Sequence, residues 1–235
     1  MRPRRELDRD PSVFGSSELK RLKEISKAIG VPVPHHFVPT SEIFLAELIK
    51  WNRRMNLISR GDEQIVIERH LLDSLCLLSV ERNLSGKRLL DVGSGAGFPG
   101  VVIAMWESNV QTFLVESRSK RVAFLKAIRR LLGLDNLFVV HSRIEKLSED
   151  GGISQPFDIV VSRGVGGVLA LANSLGNMVR EDGLFVLYKG LGAADELKKC
   201  KENTLLNRLG FETEIVKPPW QDLTVLLVLR KAPSK

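Results

Sequence analysis

The chain has 235 residues, 43% of them hydrophobic, with a formal net charge of +7 and a pI near 9.6. That length suits one large α/β domain with an accessory segment, and no apolar run is long enough to span a membrane. The charged start MRPRRELDRD lacks the apolar centre of a signal peptide, and Cys76 and Cys200 have neither CxxC nor metal-ligand spacing, so a soluble, reduced, cytoplasmic protein without a bound metal is expected.

Residues 1–15 are charged, carry Pro3 and Pro11, and read as disordered. Ser17 is placed to cap a first helix whose face is Leu19, Leu22, Ile25 and Ile29, with Gly30 ending it. VPVPHHFVP reads as a stiff linker. A second helix then starts at Thr40 or Ser41 and carries the stripe Phe44, Leu48, Trp51 and Met55. Asp62 is expected to cap a third helix bearing Leu71, Leu72, Leu75 and Leu78. These helices define an N-terminal helical appendage over 1–80, leaving 81–235 as the main domain. Cys76 lies in an apolar helical run and reads as core; Cys200, in KKCKEN, reads as a surface thiol.

From Lys87 strands and helices alternate. The strand candidates are 88–92, 111–116, 137–141, 157–162, 184–189, 211–217 and 223–230, with helices from about Pro99, Arg118, Ile144, Val168 and Ala193. Only Pro218, Pro219, Trp220, Gln221 and Asp222 separate the last two strands, so they should pair as an antiparallel hairpin. A NAD-binding domain would instead end in a sixth parallel strand.

The first of these strands ends in LLDVGSGAGFPG, with Gly93, Gly95, Gly97 and Gly100 following Asp91 and Val92. A strand that stops in a glycine loop and re-enters as a helix brings bare backbone N–H groups close to a ligand. The spacing fits both the dinucleotide G-x-G-x-x-G and the G-x-G-x-G of methyltransferases that use S-adenosylmethionine (SAM). The second is favoured: the strand ends at Gly93, Phe98 stands where the dinucleotide register needs a small residue, and Pro99 suits the first helical position. Asp91 suits a cationic or hydroxyl-bearing ligand and would repel a pyrophosphate. The expected fold is therefore α/β: a Rossmann-like class I SAM-dependent methyltransferase, its sheet seven-stranded and mostly parallel with a terminal antiparallel hairpin.

In such a sheet ligands bind beyond the carboxyl ends of the strands. Glu116 ends the second strand, nineteen residues after Gly97, and can accept the ribose hydroxyls of an adenosine; an acid interacting with the helix dipole is the alternative. Backbone N–H groups near Ile144 and Glu145 are placed to read an adenine edge, unless they merely open a capped short helix. Ser162 and Arg163 end the fourth strand beside the expected methyl group. The sequence there, SRGVGG, has neither an Asn/Asp-Pro-Pro-aromatic tetrad nor a cysteine nucleophile. The target should then be an atom already nucleophilic, with no proton to lose, and guanine N7 fits. Catalysis would rest on alignment and exclusion of water. No catalytic residue is assigned, Arg163 being the candidate.

The net charge fits a polyanionic partner. Arg118, Lys120, Arg121, Lys126, Arg129 and Arg130 form one basic run without an intervening acid, and Arg53, Arg54 and Arg60 form another. Arg53 and Arg54 are RNA-binding candidates. Lys189, ending the fifth strand, is placed to meet a phosphate or a base.

WNRRMNLIS (51–59), RHLLDSL (69–75), LLDVGSGAGFPG (89–100), VESRSKRVAFL (115–125), SRIEKL (142–147), FDIVVSRGVG (157–166) and LYKG (187–190) resemble, in order, the glucose-inhibited division protein B (RsmG) family. The resemblance runs from about Leu45 to Arg230. It implies methylation of guanine N7 in the 530 loop of bacterial 16S rRNA, with 16S rRNA or the 30S subunit as partner; the sequence leaves the oligomeric state open, a monomer being favoured. Gly93, Phe98, Ile144, Glu145 and Arg163 match the family's SAM-contacting positions, and Glu116 its acidic ribose position. The RH…DS motif falls on Arg69, His70, Asp73 and Ser74, which either line the RNA side of the cleft or lock the appendage to the core; Arg69 and His70 are thereby RNA-binding candidates. Val101-Val102 and Gly164-Val165-Gly166 depart from the family pattern. A SAM enzyme for another RNA or a small molecule, and a non-catalytic SAM-binding rRNA factor, are the alternative readings.

Overall fold

The computed structural model describes residues 14–147, 156–190, 192–201 and 204–233; of the stretch 1–15 expected to be disordered, 1–13 lie outside them, while Phe14 is buried in the core and Gly15 precedes the first helix. Helix α1 (Ser16–Ile29) starts after Gly15 with no side-chain cap, because the Ser17 hydroxyl donates to Glu18 Oε2 instead. Helix α2 (Phe37–Met55) starts at Phe37 rather than Thr40. Pro39 falls inside its first turn, where a missing N–H is tolerated, so the linker ends earlier than its prolines imply.

Residues 62–79 do not form the single helix expected. They make a 3-10 turn (Asp62–Ile65), a π-helical segment (Ile67–Leu72) and a second 3-10 turn (Leu75–Ser79). Leu71, Leu72, Leu75, Cys76, Leu77 and Leu78 are all at most 2% exposed, so the segment has no polar face over its second half. A stretch buried all round is held by its surroundings, and they set its winding.

The strands are β1 (Arg88–Val92), β2 (Gln111–Glu116), β3 (Leu137–His141), β4 (Phe157–Arg163), β5 (Val179–Lys189), β6 (Phe211–Val216) and β7 (Val225–Lys231). They form one sheet in the order β3-β2-β1-β4-β5-β7-β6, parallel from β3 to β5, with β7 antiparallel to both neighbours. The short loop after β6 forces the reversal, as expected. The order changes direction between β1 and β4, which opens a crevice at their carboxyl ends. Lys189 pairs with Val225, so the β6–β7 loop also lies at that edge.

Alternate residues of the central strands face opposite layers. Leu89, Leu114, Ile159 and Val161 pack under α3 (Gly100–Trp106), α4 (Ser119–Leu132) and the N-terminal helices in one continuous core. Leu90, Val92, Val115 and Val160 pack under α5 (Val168–Leu175), α6 (Ala193–Lys201) and α7 (Leu205–Arg208). Cys76 is core as expected. Cys200 is not the surface thiol its lysine-rich flanks suggest: it is 3% exposed and packs in the second layer.

Candidate active site

Two hollows lie along the carboxyl edge, sharing Gly164 of the loop after β4 as a common wall. The first, of about 550 Å³, is lined by Gly93, Glu116, Ser142, Ile144, Glu145 and the 164–166 loop, with Arg118, Arg121 and Arg143 around it. Gly93 has φ +75°, and a Cβ there would collide with Cγ2 of Val165. No residue with a side chain fits that position without moving the loop. Glu116 is 4% exposed. Its carboxylate accepts the N–H of Gly95 (3.1 Å) and of Arg118 (2.8 Å), and Arg121 stands 3.6 Å away. A carboxylate has about four acceptor positions, so Glu116 keeps capacity for hydroxyl donors in the hollow.

Asp91 departs from its expectation as a ligand contact. It is fully buried outside the walls of the hollow, and its Oδ2 accepts the N–H of Gly100 (2.9 Å), the first residue of α3. Burial pushes its carboxyl up to about 7 against the opposing pull of the Gly100 bond. A Cβ at Gly100 would strike Asp91 and Leu114, so the glycine here serves helix–strand packing. Gly95 and Gly97 shape the loop behind the hollow rather than line it. Phe98 likewise turns away: its ring stacks on His70 (5.1 Å between centroids) and meets Phe44 edge-on.

The second hollow, of about 420 Å³, is lined by Arg69, Asp73, Arg163, Tyr188, Lys189, Gln221 and Thr224 among others. Arg163 belongs to this hollow, not to the first. Its Nη2 donates to Arg69 O (2.8 Å) and meets His70 Nδ1 at 2.9 Å, and it pairs with Asp73 Oδ2 at 3.3 Å. Asp73 Oδ1 in turn accepts from Gln221 Nε2 (3.3 Å). Ser74 donates to His70 O, and the Tyr188 hydroxyl of β5 donates to Ser74 O (2.8 Å). The RH…DS motif therefore locks the appendage to β4 and β5, while Arg69 also faces the hollow. His70 is half-buried against Phe98, and loss of water together with the nearby Arg163 guanidinium pushes its imidazole down to about 4 despite Asp62 Oδ2 at 3.5 Å. Burial raises the Asp73 carboxyl, with Arg163 opposing. Lys189 is tied to Glu196 (3.0 Å) and the carbonyl of Gly166.

A profile described as rRNA small subunit methyltransferase G matches residues 39–217. The chain belongs to the rRNA small subunit methyltransferase G family. The protein of that name from Sorangium cellulosum is 36% identical over 206 residues, covering 87% of this chain and 84% of that one. Its namesake from Desulfitobacterium hafniense is 35% identical over 175 residues, covering 74% and 71%. Among solved structures, the YcgJ protein of Bacillus subtilis aligns with TM-score 0.54 at 12% identity, covering 70% of this chain and all of that one. The fibrillarin pre-rRNA processing protein of Methanococcus jannaschii aligns at 0.52 and 16%, covering 64% and 69%. These structures bear on the fold, which is that of class I methyltransferases.

Within this family framework the remaining candidates fall elsewhere. Arg53 and Arg54 are exposed at the end of α2 and line a separate surface hollow with Lys50 and Lys120. Ile65, Gln221, Leu223 and Thr224 were not visible as site residues in the sequence, although all line the second hollow. The signal available was topological: a β7 antiparallel to β5 returns its leading loop to the ligand edge. Among the described residues no helix is long and apolar enough to cross a membrane.

Proposed function

We propose that this chain transfers a methyl group from SAM to N7 of a guanine in the 530 loop of 16S rRNA. The observation that carries the reading is the pair of adjoining hollows, one holding the buried Glu116 beside a bare Gly93, the other holding three cationic side chains with Glu68 and Asp73, parted by the glycine-rich loop 164–166. The first fits an adenosine-bearing sulfonium. Glu116 offers a buried acceptor for ribose hydroxyls, Gly93 leaves its backbone bare, and the turn at Ile144–Glu145 stands where an adenine edge would be read. When bound, SAM supplies an electrophilic methyl on a cationic sulfur. Guanine N7 has an in-plane lone pair and no proton, so the chain needs no general base, and its work is alignment and desolvation. Arg69, Arg163 and Lys189, each beside a carboxylate, bring hydrogen-bond donors to the second hollow that suit an electron-rich purine and its phosphate. Such a substrate places the protein in the bacterial cytoplasm.

Incubation with methyl-labelled SAM and unmodified 16S rRNA or 30S subunits tests this. Label recovered as 7-methylguanosine in the 530 loop is the expected result, and no incorporation into either substrate overturns it.

A further inference from the structure

The second hollow has a composition that cationic RNA contact alone does not explain. Its rim carries Ile65 and Leu223, which are 43% and 65% exposed and rank among the few large apolar side chains that the described residues leave open to water. They come from different elements, Ile65 from the 3-10 turn of the appendage and Leu223 from the β6–β7 loop. Below them the lining is polar: Arg163, Asp73, Gln221 and Thr224. The Nη1 of Arg163 is buried and has no hydrogen-bond partner among the described residues. Apolar residues over a polar floor form a slot for a flat ring whose faces are greasy and whose edge carries donors and acceptors. A nucleobase taken out of its stack is such a ring, and enzymes acting on bases hold them in this way.

Resting on the reading above, we propose that this hollow receives the target guanine flipped out of the rRNA, with Ile65 and Leu223 gripping its faces and Arg163 and Asp73 selecting its edge. The choice of guanine follows from the floor. An arginine donor suits O6 and would face the amino group of an adenine, and a carboxylate suits the N1–H and N2–H donors that adenine lacks. Gly164 is common to both hollows, so a ring seated here lies next to the space beyond Gly93. Asp73 is bound to Arg163 and Gln221 already. The reader is thus held in place before substrate arrives, which lowers the ordering cost of recognition.

Ile65 and Leu223 are exposed, so Ile65→Ser with Leu223→Ser tests the slot without threatening the core. Three quantities are read on the full chain: SAM affinity, single-turnover methylation at saturating 30S subunits, and fluorescence of 2-aminopurine placed at the target position. The expected result is unchanged melting temperature and SAM affinity, a methylation rate at least about tenfold lower at saturation, and loss of the fluorescence rise that unstacking gives the native chain. Arg163→Lys, which keeps a charge beside Asp73, supplies the edge test. Replacing the target by 2-aminopurine, which lacks both O6 and the N1–H, should slow the native enzyme about 10- to 100-fold and the variant by a clearly smaller factor, since the variant has already lost the O6 contact and keeps only the one to Asp73. An unchanged rate in the double variant, a loss confined to KM, weakened SAM binding by either variant, or equal 2-aminopurine penalties would overturn the slot. A native chain that methylates no guanine in either rRNA substrate removes instead the functional reading beneath it.

Discussion

Asp91 and Glu116 lie at the carboxyl ends of neighbouring strands, Asp91 next to last in β1 and Glu116 last in β2, and their surroundings give them different work. Glu116 faces the first hollow and already collects two backbone N–H groups, whereas Asp91 is sealed beneath the loop as the acceptor for the start of α3. Glu116→Ala should weaken SAM binding at least about tenfold by calorimetry while leaving the melting temperature within a few degrees; unchanged affinity would take Glu116 out of the ribose role. Asp91 makes a pH prediction. Its folded pKa of about 7 lies above its ordinary value of 3.8, so the folded chain holds a proton the unfolded chain has lost between those values. The stability this confers is full at acid pH and disappears as pH rises to about 7. Asp91→Asn keeps an acceptor for Gly100 and has no such proton, so its melting temperature relative to the native chain should rise from pH 5 to pH 8. A constant difference would contradict the buried charge. His70 has the opposite sign. Held near 4, it stays neutral in the fold while the unfolded chain protonates below about 6.5, so stability falls as pH drops from 6.5 toward 4. His70→Asn should flatten that limb of the stability curve.

At the scale of elements, legibility followed periodicity. Strands β1 to β3 begin and end where their apolar alternation and flanking turns put them, because nothing in tertiary packing opposes those local preferences. The segment 62–79 failed for the converse reason. With Leu71, Leu72 and Leu75 to Leu78 all buried, no exposed face fixes a helical phase, and the segment is instead bonded to Arg163 of β4 and Tyr188 of β5. Cys200 misled because its neighbours in sequence are lysines while its helical face is apolar. The site was half legible. Gly93, Glu116, Ile144 and Glu145 meet in one hollow because each follows a strand that ends at the same edge. Arg163 does not join them, since the appendage, whose docking no spacing rule encodes, draws its guanidinium toward Arg69, His70 and Asp73. Tyr188 tests that docking. Its buried hydroxyl donates to Ser74 O, so Tyr188→Phe should cost about 1–3 kcal/mol in denaturant unfolding and leave SAM affinity unchanged. An undisturbed stability would remove this bond from the contacts that seat the appendage.

For the whole molecule, one core joins the appendage to the sheet. Arg53 and Arg54, exposed beside Lys50 and Lys120, are proposed to meet RNA phosphates. Arg53→Glu with Arg54→Glu should lower affinity for 16S rRNA and reduce the salt slope of binding by roughly two, with SAM affinity untouched; an unaltered slope would confine RNA contact to other surfaces. Both proposed substrates depend on what the hollow beyond β1 and β2 accepts. Calorimetric titration of the native chain with SAM and, separately, with NADH addresses that most directly. Saturable one-to-one binding of SAM, abolished or sharply weakened by Gly93→Asp in a chain that still melts cooperatively, and no heat from NADH, is the predicted result. Binding of NADH in place of SAM, or SAM binding indifferent to Gly93→Asp, would contradict it.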